Sequence, residues 1–139
     1  MSSRSAAATP TRVAVCCALL SAVVHLVIAP EHLAETLYIG ILFIAGGVAL
    51  LLTAGALALR NSVTAWWAGA LVSGGMILGF ALSRTIGLPG YHEQGWDHPY
   101  GVLSIIAEGV YLVSFFAWYG TRSAHAPSAP LRRKVPAGR

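Results

Sequence analysis

Most of this 139-residue chain consists of four long apolar stretches, at residues 13–29, 37–59, 66–82 and 101–119. Each is close to the roughly 20 residues that a helix needs to cross a bilayer core about 30 Å thick. None shows the alternation of a membrane β-barrel strand, and a spanning segment must satisfy its own backbone hydrogen bonds. Only 10% of the residues are charged, whereas soluble domains carry about 25%. The sequence therefore predicts an all-α polytopic membrane four-helix bundle, and it excludes a soluble enzyme, a disordered chain and a nucleic-acid-binding protein.

The basic residues lie almost entirely on one side of the predicted spans. Eight of the nine Lys and Arg residues fall before the first span, between the second and third, or after the fourth, and four of the five acidic residues fall in the other two connections. Because cytoplasmic segments are enriched in Lys and Arg, both termini are predicted to be cytoplasmic. The expected organisation is a cytoplasmic segment at 1–12, a transmembrane domain at 13–119 and a disordered basic cytoplasmic tail at 120–139.

The clearest functional signal is a carboxyl group inside the fourth span. Glu108 lies near the middle of the hydrocarbon core, where an ionisable side chain is costly and by default indicates function. Ser104, Glu108 and Tyr111 recur at helical spacing, His25 lies inside the first span, and Arg84 ends the third. We expect His25, Arg84 and Glu108 to form one buried network, with Ser104 and Tyr111 completing a site for a small ligand, a proton or a cation. The alternative is that these charges only neutralise one another and set the register of the helices.

A second polar layer lies in the two connections predicted to face outward. His32, Glu35, His92 and His98 are candidate metal ligands, because imidazole and carboxylate groups suit zinc or copper. Their spacing matches no established metal motif, and solvated loop residues are the alternative interpretation. No catalytic residues are assigned, because the sequence contains no P-loop, nucleophile elbow, dinucleotide fingerprint or His-Glu-x-x-His motif.

Proline and glycine positions predict how the helices begin and meet. Pro30 followed by Glu31 is typical of a first helical turn, so residues 31–35 are expected to belong to an extended second helix. Gly75 and Gly79 form a Gly-x-x-x-Gly pair in the third span. Small residues of this kind allow close packing of helices in lipid. We expect this pair to pack either within the bundle or between copies of the chain.

Two segments resemble a pattern found in short four-helix integral membrane proteins of actinobacteria. They are Ala-Pro-Glu-His-Leu-Ala-Glu at 29–35, preceded by His25, and Ser-Arg-Thr-Ile-Gly-Leu-Pro-Gly at 83–90, followed by Glu108. The similarity covers residues 13–119 and excludes both tails. It implies a multi-pass protein of the bacterial cytoplasmic membrane and no particular chemistry. It also implies an outward-facing site at His25, Glu31, His32, Glu35, Arg84 and Glu108.

Three functions fit these observations. The leading interpretation is a non-enzymatic membrane protein with a small polar binding site in the outer half of the bundle. The alternative is an accessory or scaffolding subunit that packs through its glycine faces onto a larger membrane complex and needs no ligand. The third is a membrane oxidoreductase or quinone-linked protein that uses His25 and Tyr111. The expected partners are the lipid bilayer and either further copies of the chain or a larger membrane complex.

Overall fold

The computed structural model describes residues 3–96 and 98–124, with side chains from residue 9 onward. It contains four helices, α1 (Ser3–Glu35), α2 (Leu37–Arg60), α3 (Val63–Arg84) and α4 (Tyr100–Ala124). All four are long and apolar enough to cross a membrane. The described residues contain no β-strand, and their one β-bridge joins Leu88 to Tyr91. The prediction of an all-α chain with four candidate spans is therefore confirmed.

The first and last helices extend beyond the apolar stretches of the sequence. α1 already includes residues 3–12, which are rich in the strong helix former Ala. α4 continues through Ala124, so residues 120–124, expected in the disordered tail, are helical. The rest of the predicted tail lies outside the described residues.

The four helices pack unevenly. α1 makes its most extensive contacts with α2 and then with α4, whereas α3 makes smaller contacts with α2 and α4. Only 22% of the most apolar segment of α3 is buried inside the structure, which is the lowest share among the four helices. We call the end of the bundle with the α1–α2 turn and the connection 85–99 the Thr36 end, and the end with the α2–α3 turn the Asn61 end.

The turn between α1 and α2 differs from the prediction. α1 runs through Pro30 to Glu35, and a single residue, Thr36, separates it from α2. The prediction that residues 31–35 begin the second helix is therefore wrong, because they form the last turns of the first. Proline inside a helix removes its own backbone donor but not those of later residues. The amide of Thr36 still donates to the carbonyl of His32 at 2.8 Å, which continues the helical pattern past the proline.

Gly40 allows the two helices to approach closely at this turn. The carbonyl of Thr36 accepts backbone hydrogen bonds from Ile39 at 3.0 Å and from Gly40 at 3.2 Å. A Cβ atom at Gly40 would overlap the side chain and the Cα of Leu33 on α1. A side chain at position 40 would therefore push the two helices apart.

The α2–α3 turn consists of two residues whose types suit their positions. Asn61 is in the left-handed region, with φ 44° and ψ 45°, and its amide donates back to the last turn of α2. Asn adopts this conformation more readily than most residues. Ser62 caps α3 by accepting the amide of Ala65 at 3.2 Å. The side-chain oxygen of Asn61 accepts the indole N–H of Trp66 at 2.8 Å, which ties the turn to the core.

The Asn61 half of the bundle is packed around aromatic side chains. Trp66 is fully buried, and it stacks on Trp118 with ring centroids 4.9 Å apart. Tyr111 and Phe115 pack against the same indole at centroid distances of 6.0 Å and 6.5 Å. Small and aliphatic residues of α1 and α2 complete this core, namely Ala14, Ala18, Ala22, Leu50, Ala54 and Leu57.

Candidate ligand site in the Thr36 half of the bundle

A cavity of about 500 Å³ lies in the Thr36 half of the bundle. Small-ligand sites typically measure about 300–1,000 Å³. All four helices and the connection after α3 contribute to its wall. Most of that wall is apolar, and its larger apolar residues are Ile28, Ile39, Leu42, Phe43, Val72 and Met76.

The cavity exists because α2 and α3 carry small residues where they face each other. Ala45 and Ala49 of α2 and Gly75 and Gly79 of α3 all line it. A Cβ atom at Gly75 or Gly79 would meet no other atom within 4 Å. Of the two expected roles of this glycine pair, close packing within the bundle is therefore wrong, since the missing side chains leave open space instead; packing between copies of the chain stays a prediction.

Glu108 and His25 meet at the cavity wall, as the sequence predicted. Both side chains are buried, with exposures of 1% for Glu108 and 6% for His25. The Nε2 atom of His25 lies 3.7 Å from the Oε1 atom of Glu108. Ser21, four residues before His25 on α1, donates its hydroxyl proton to the same carboxyl oxygen at 2.9 Å. The predicted proximity of the two ionisable groups is thus confirmed, and Ser21 joins them.

Two polar atoms of this pair remain available to the cavity. The Oε2 atom of Glu108 and the Nε2 atom of His25 make no hydrogen bond within the part of the chain that the structure describes. Every fully occluded side-chain nitrogen or oxygen in that part has a hydrogen-bond partner. These two atoms must therefore be accessible from the cavity, which both residues line.

The hydrogen-bond partner of His25 fixes one of its protons. The Nδ1 atom lies 2.8 Å from the carbonyl oxygen of Ser21. A carbonyl oxygen can only accept, so Nδ1 carries a proton. His32, seven residues further along α1, has the same arrangement, with its Nδ1 atom 3.0 Å from the carbonyl oxygen of Ile28. Its ring also stacks on Phe43 at a centroid distance of 4.2 Å.

Two hydroxyl groups that line the cavity donate to their own helices. Ser104 donates to the carbonyl oxygen of Gly101 at 3.0 Å, and Ser83 donates to that of Phe80 at 2.9 Å. The Ser104 oxygen keeps its lone pairs for other partners, whereas the Ser83 oxygen already accepts from Arg84 at 3.0 Å. Ser104 therefore lies where the sequence predicted, in the same site as Glu108 and His25.

Arg84 lines the cavity but does not join the buried pair. Its guanidinium lies over the ring of Phe80, 3.6 Å from the ring centroid. Its Nε atom donates to the carbonyl oxygen of Gly95 at 2.7 Å, and an Nη atom donates to the Ser83 hydroxyl at 3.0 Å. The predicted network of His25, Arg84 and Glu108 is therefore wrong in one member, because contacts on α3 and its connection hold Arg84 at the Thr36 end.

Tyr111 lies outside the cavity. Its hydroxyl is 3.4 Å from the carbonyl oxygens of both Ala65 and Trp66, in the packed Asn61 half. The side chain reaches α3 there because Gly69 leaves room for it. Tyr111 shares a helix stripe with Glu108, but it contributes to the core rather than to the same site. The structure therefore does not bring His25 and Tyr111 together in one site, and the redox interpretation stays a prediction.

The connection between α3 and α4 covers the Thr36 end of the cavity, which Leu88 and Tyr91 help to line. Tyr38 of α2 fixes this connection by donating to the carbonyl oxygen of Pro89 at 2.7 Å. The hydroxyl of Tyr91 donates to the Glu93 carboxylate. Burial, followed by this hydrogen bond, raises the pKa of the Tyr91 hydroxyl above its ordinary value, so it remains a neutral donor at physiological pH.

The predicted metal ligands do not come together. His32 is buried against Phe43, while Glu35, His92 and His98 are exposed. Across residues 3–96 and 98–124, no three His, Cys, Asp or Glu side chains are arranged to hold a metal ion. The expectation of a zinc or copper site is therefore not supported.

Sequence reasoning assigned neither Ser21 nor Phe43 to the site, although both residues shape it. Ser21 was visible as a polar residue one helical turn before His25, which was the available signal. Phe43 gave no such signal, because its contact with the rings of His25 and His32 depends on how α2 is rotated against α1.

Comparison with known proteins gives no relative for this chain. No protein-family profile, curated protein or solved structure matches it.

Proposed function

We propose that this chain is an integral membrane protein that binds a small lipophilic molecule and holds the polar head group of that molecule at Glu108 and His25. The observation that carries the proposal is one apolar cavity with a buried carboxyl group in its wall, whose Oε2 atom makes no hydrogen bond to the described residues. Binding sites for small molecules combine a mostly apolar wall with a few placed polar groups. A buried ionisable group inside a membrane protein is costly, and a ligand head group would compensate that cost.

The ligand is proposed to enter from the bilayer, between α2 and α3. Leu42 on α2 is 58% exposed and Leu71 on α3 is 72% exposed, and both also line the cavity. Side chains that belong both to the cavity and to the outer surface mark its opening. In a membrane, this opening faces lipid tails, where a lipophilic molecule accumulates.

We further propose that both termini are cytoplasmic and that the protein resides in a bacterial cytoplasmic membrane. Arg12, Arg60 and Arg122 lie at the Asn61 end, whereas Glu31 and Glu93 lie at the Thr36 end. This distribution supports a cytoplasmic Asn61 end under the positive-inside rule. The cavity then lies in the outer half of the bundle. The resemblance to actinobacterial membrane proteins supports the choice of membrane.

The experiment that tests the proposed function is native mass spectrometry of the full chain after mild detergent extraction. We expect a small molecule to remain bound to the wild-type protein. Gly79→Leu is expected to release it, because the new side chain enters the cavity. Gly55→Leu is the matched control, since a Cβ atom at Gly55 also meets nothing within 4 Å but the residue does not line the cavity.

Two results would contradict this function. The first is a wild-type protein that carries no small molecule when it is extracted from its native membrane. The second is equal retention by Gly79→Leu and Gly55→Leu. Recovery of a fixed stoichiometric protein partner, together with the first result, would instead establish the scaffolding function.

A further inference from the structure

Apart from Arg84 and Tyr91 at the covered Thr36 end, the polar side chains that line the cavity offer hydrogen-bond acceptors to its interior. The hydroxyls of Ser21, Ser83 and Ser104 donate to protein oxygens. The Nδ1 protons of His25 and His32 point at backbone carbonyls of their own helix. What remains inside the cavity is the Oε2 atom of Glu108, the Nε2 atoms of the imidazoles and the lone pairs of the Ser104 hydroxyl oxygen.

The Glu108 carboxyl has no charged hydrogen-bond partner among the described residues. A charged imidazole and a carboxylate form a hydrogen bond of about 2.7–2.9 Å. The observed separation of 3.7 Å between Nε2 of His25 and Oε1 of Glu108 is too long for such a bond. The Ser21 hydroxyl, which donates to Oε1, stabilises the carboxylate but supplies no positive charge.

The nearest fixed cation on the cavity wall does not compensate this carboxylate. Arg84 is held over Phe80 and bonds to Gly95 and Ser83. It lies at the end of α3, whereas Glu108 lies eight residues inside α4, about 12 Å along that helix. Because burial disfavours the charged form of a carboxyl group, Glu108 is a stable carboxylate only when a cation lies beside it within the cavity.

The wall favours an organic cation over a metal ion. Divalent cations take about six or more oxygen ligands or a compact cluster of His, Cys and carboxylate groups, and no such cluster of three exists in the described residues. Apolar side chains form most of the remaining wall. The ring of Phe43, 5.0 Å from that of His25, adds an aromatic face of the kind that attracts cations.

From this arrangement we infer that the ligand is a lipophilic amine. Its protonated nitrogen donates to Oε2 of Glu108 and to Nε2 of His25, and its apolar body lies between α2 and α3. This inference rests on the proposed function, because it names the chemical class of the molecule that occupies the same cavity.

The test compares three probes that share one apolar chain and differ in head group: decylamine, decanol and decanoate. Binding of each radiolabelled probe is measured at neutral pH, on the full chain in lipid nanodiscs, with binding to empty nanodiscs subtracted. We expect decylamine to bind at least about tenfold more tightly than decanol, and decanoate to bind most weakly, because a charge-assisted hydrogen bond is stronger than a neutral one.

A substitution isolates the head-group contact. Glu108→Gln is expected to reduce the preference for decylamine over decanol to less than about threefold, while decanol binding itself is retained. Decanol therefore serves as the internal control for folding of the variant. The comparison of the three probes on the wild-type protein is decisive by itself if that variant does not fold.

Results that contradict the amine inference alone differ from results that also contradict the proposed function. Equal binding of decylamine and decanol, or tighter binding of decanoate, overturns the amine inference. If that binding is lost in Gly79→Leu and kept in Gly55→Leu, the proposed function still stands. Absence of specific binding for all three probes overturns the amine inference and counts against the proposed function as well.

Discussion

The environment of Glu108 is built by two side chains one turn apart on α1. Ser21 and His25 are four residues apart and therefore lie on the same helix face. Ser21 provides a hydroxyl donor to one carboxyl oxygen at 2.9 Å, and the His25 ring lies beside it. Removing the hydroxyl would leave a buried acceptor without its donor, which costs more than the net energy of an ordinary hydrogen bond.

We therefore predict that Ser21→Ala destabilises the protein by about 1–3 kcal/mol. The measurement is the free energy of unfolding in mixed micelles, from a denaturant titration followed by circular dichroism. Ser114→Ala is the matched control on α4, because the Ser114 hydroxyl donates only to the Val110 carbonyl of its own helix, at 2.8 Å. That change should be close to neutral, since such a bond contributes little to a helix. Equal losses for the two variants would contradict the role given to Ser21.

Individual site residues were predictable to different degrees. His25 and Glu108 could be paired from sequence because ionisable groups inside spans avoid lipid and face the interior. Tyr111 could not be separated from Glu108, because three-residue spacing fixes a helix face but not the depth at which each side chain meets its neighbour. Arg84 was misplaced because its partners, the Phe80 ring and the Gly95 carbonyl, depend on how the connection after α3 folds.

At the scale of elements, the glycines of α3 pack tightly in one half of the bundle and leave space in the other. Near its start, Gly69 lies against Tyr111, and a Cβ atom there would overlap the Tyr111 hydroxyl and lie 2.8 Å from the Thr53 methyl group. Near its end, Gly79 faces the cavity and has no neighbour within 4 Å. The same residue type therefore serves tight packing in one half and open volume in the other.

This contrast predicts opposite outcomes for one substitution. Gly69→Ala should destabilise the protein by about 1–3 kcal/mol, because the core must shift to admit the methyl group. Gly79→Ala should be neutral or stabilising by up to about 1 kcal/mol, because Ala has the higher helix propensity. Unfolding free energies of both variants in one detergent provide the check. A loss in Gly79→Ala as large as that in Gly69→Ala would show that the space beside Gly79 does not exist.

The α2–α3 turn makes a second prediction at this scale. Asn61→Ala should cost about 1–2 kcal/mol for the left-handed conformation, and it also removes the acceptor of the Trp66 indole N–H. Asn61→Gly removes the same acceptor but relieves the conformational cost. The alanine variant is therefore expected to be less stable than the glycine variant by about 1 kcal/mol in thermal or denaturant unfolding. The reverse order would exclude a left-handed Asn61.

Helix positions were predictable from the sequence, but one boundary was not. The four apolar stretches located all four helices because length and apolarity alone indicate spans. Pro30 misled the assignment of residues 31–35, since proline is common in a first helical turn but also tolerated inside membrane helices. The difference lies in the tight Thr36 turn, which requires Gly40 opposite Leu33, a tertiary contact that local propensity does not encode.

The whole molecule is divided into a packed half and a hollow half. Aromatic rings around Trp66 fill the Asn61 half, while small residues on α2 and α3 leave the cavity in the Thr36 half. Composition predicted the membrane class and the four-helix architecture, because a chain with so few charges cannot cover a water-facing surface. It could not predict the cavity, because composition does not show which small residues of α2 and α3 face each other.

The orientation of the bundle gives a prediction at this scale. Alkaline phosphatase fused after Arg139 should be inactive in a bacterial host, because the enzyme folds only outside the cytoplasm. The same reporter fused after Gln94, in the connection between α3 and α4, should be active. A green fluorescent protein fusion at each position should give the opposite pattern. Activity of the phosphatase after Arg139 would reverse the proposed orientation.

Photolabelling tests most directly the claim that the cavity is a ligand site open to the bilayer. The probe is decanol with a diazirine near the end of its chain, applied to the full-length protein in nanodiscs with and without excess unlabelled decanol. We expect the labels that the competitor removes to map to cavity residues of α2 and α3, such as Leu42, Ala45, Leu71 and Gly75. Labels that are spread over all lipid-facing surfaces, or that persist unchanged under competition, would contradict the account.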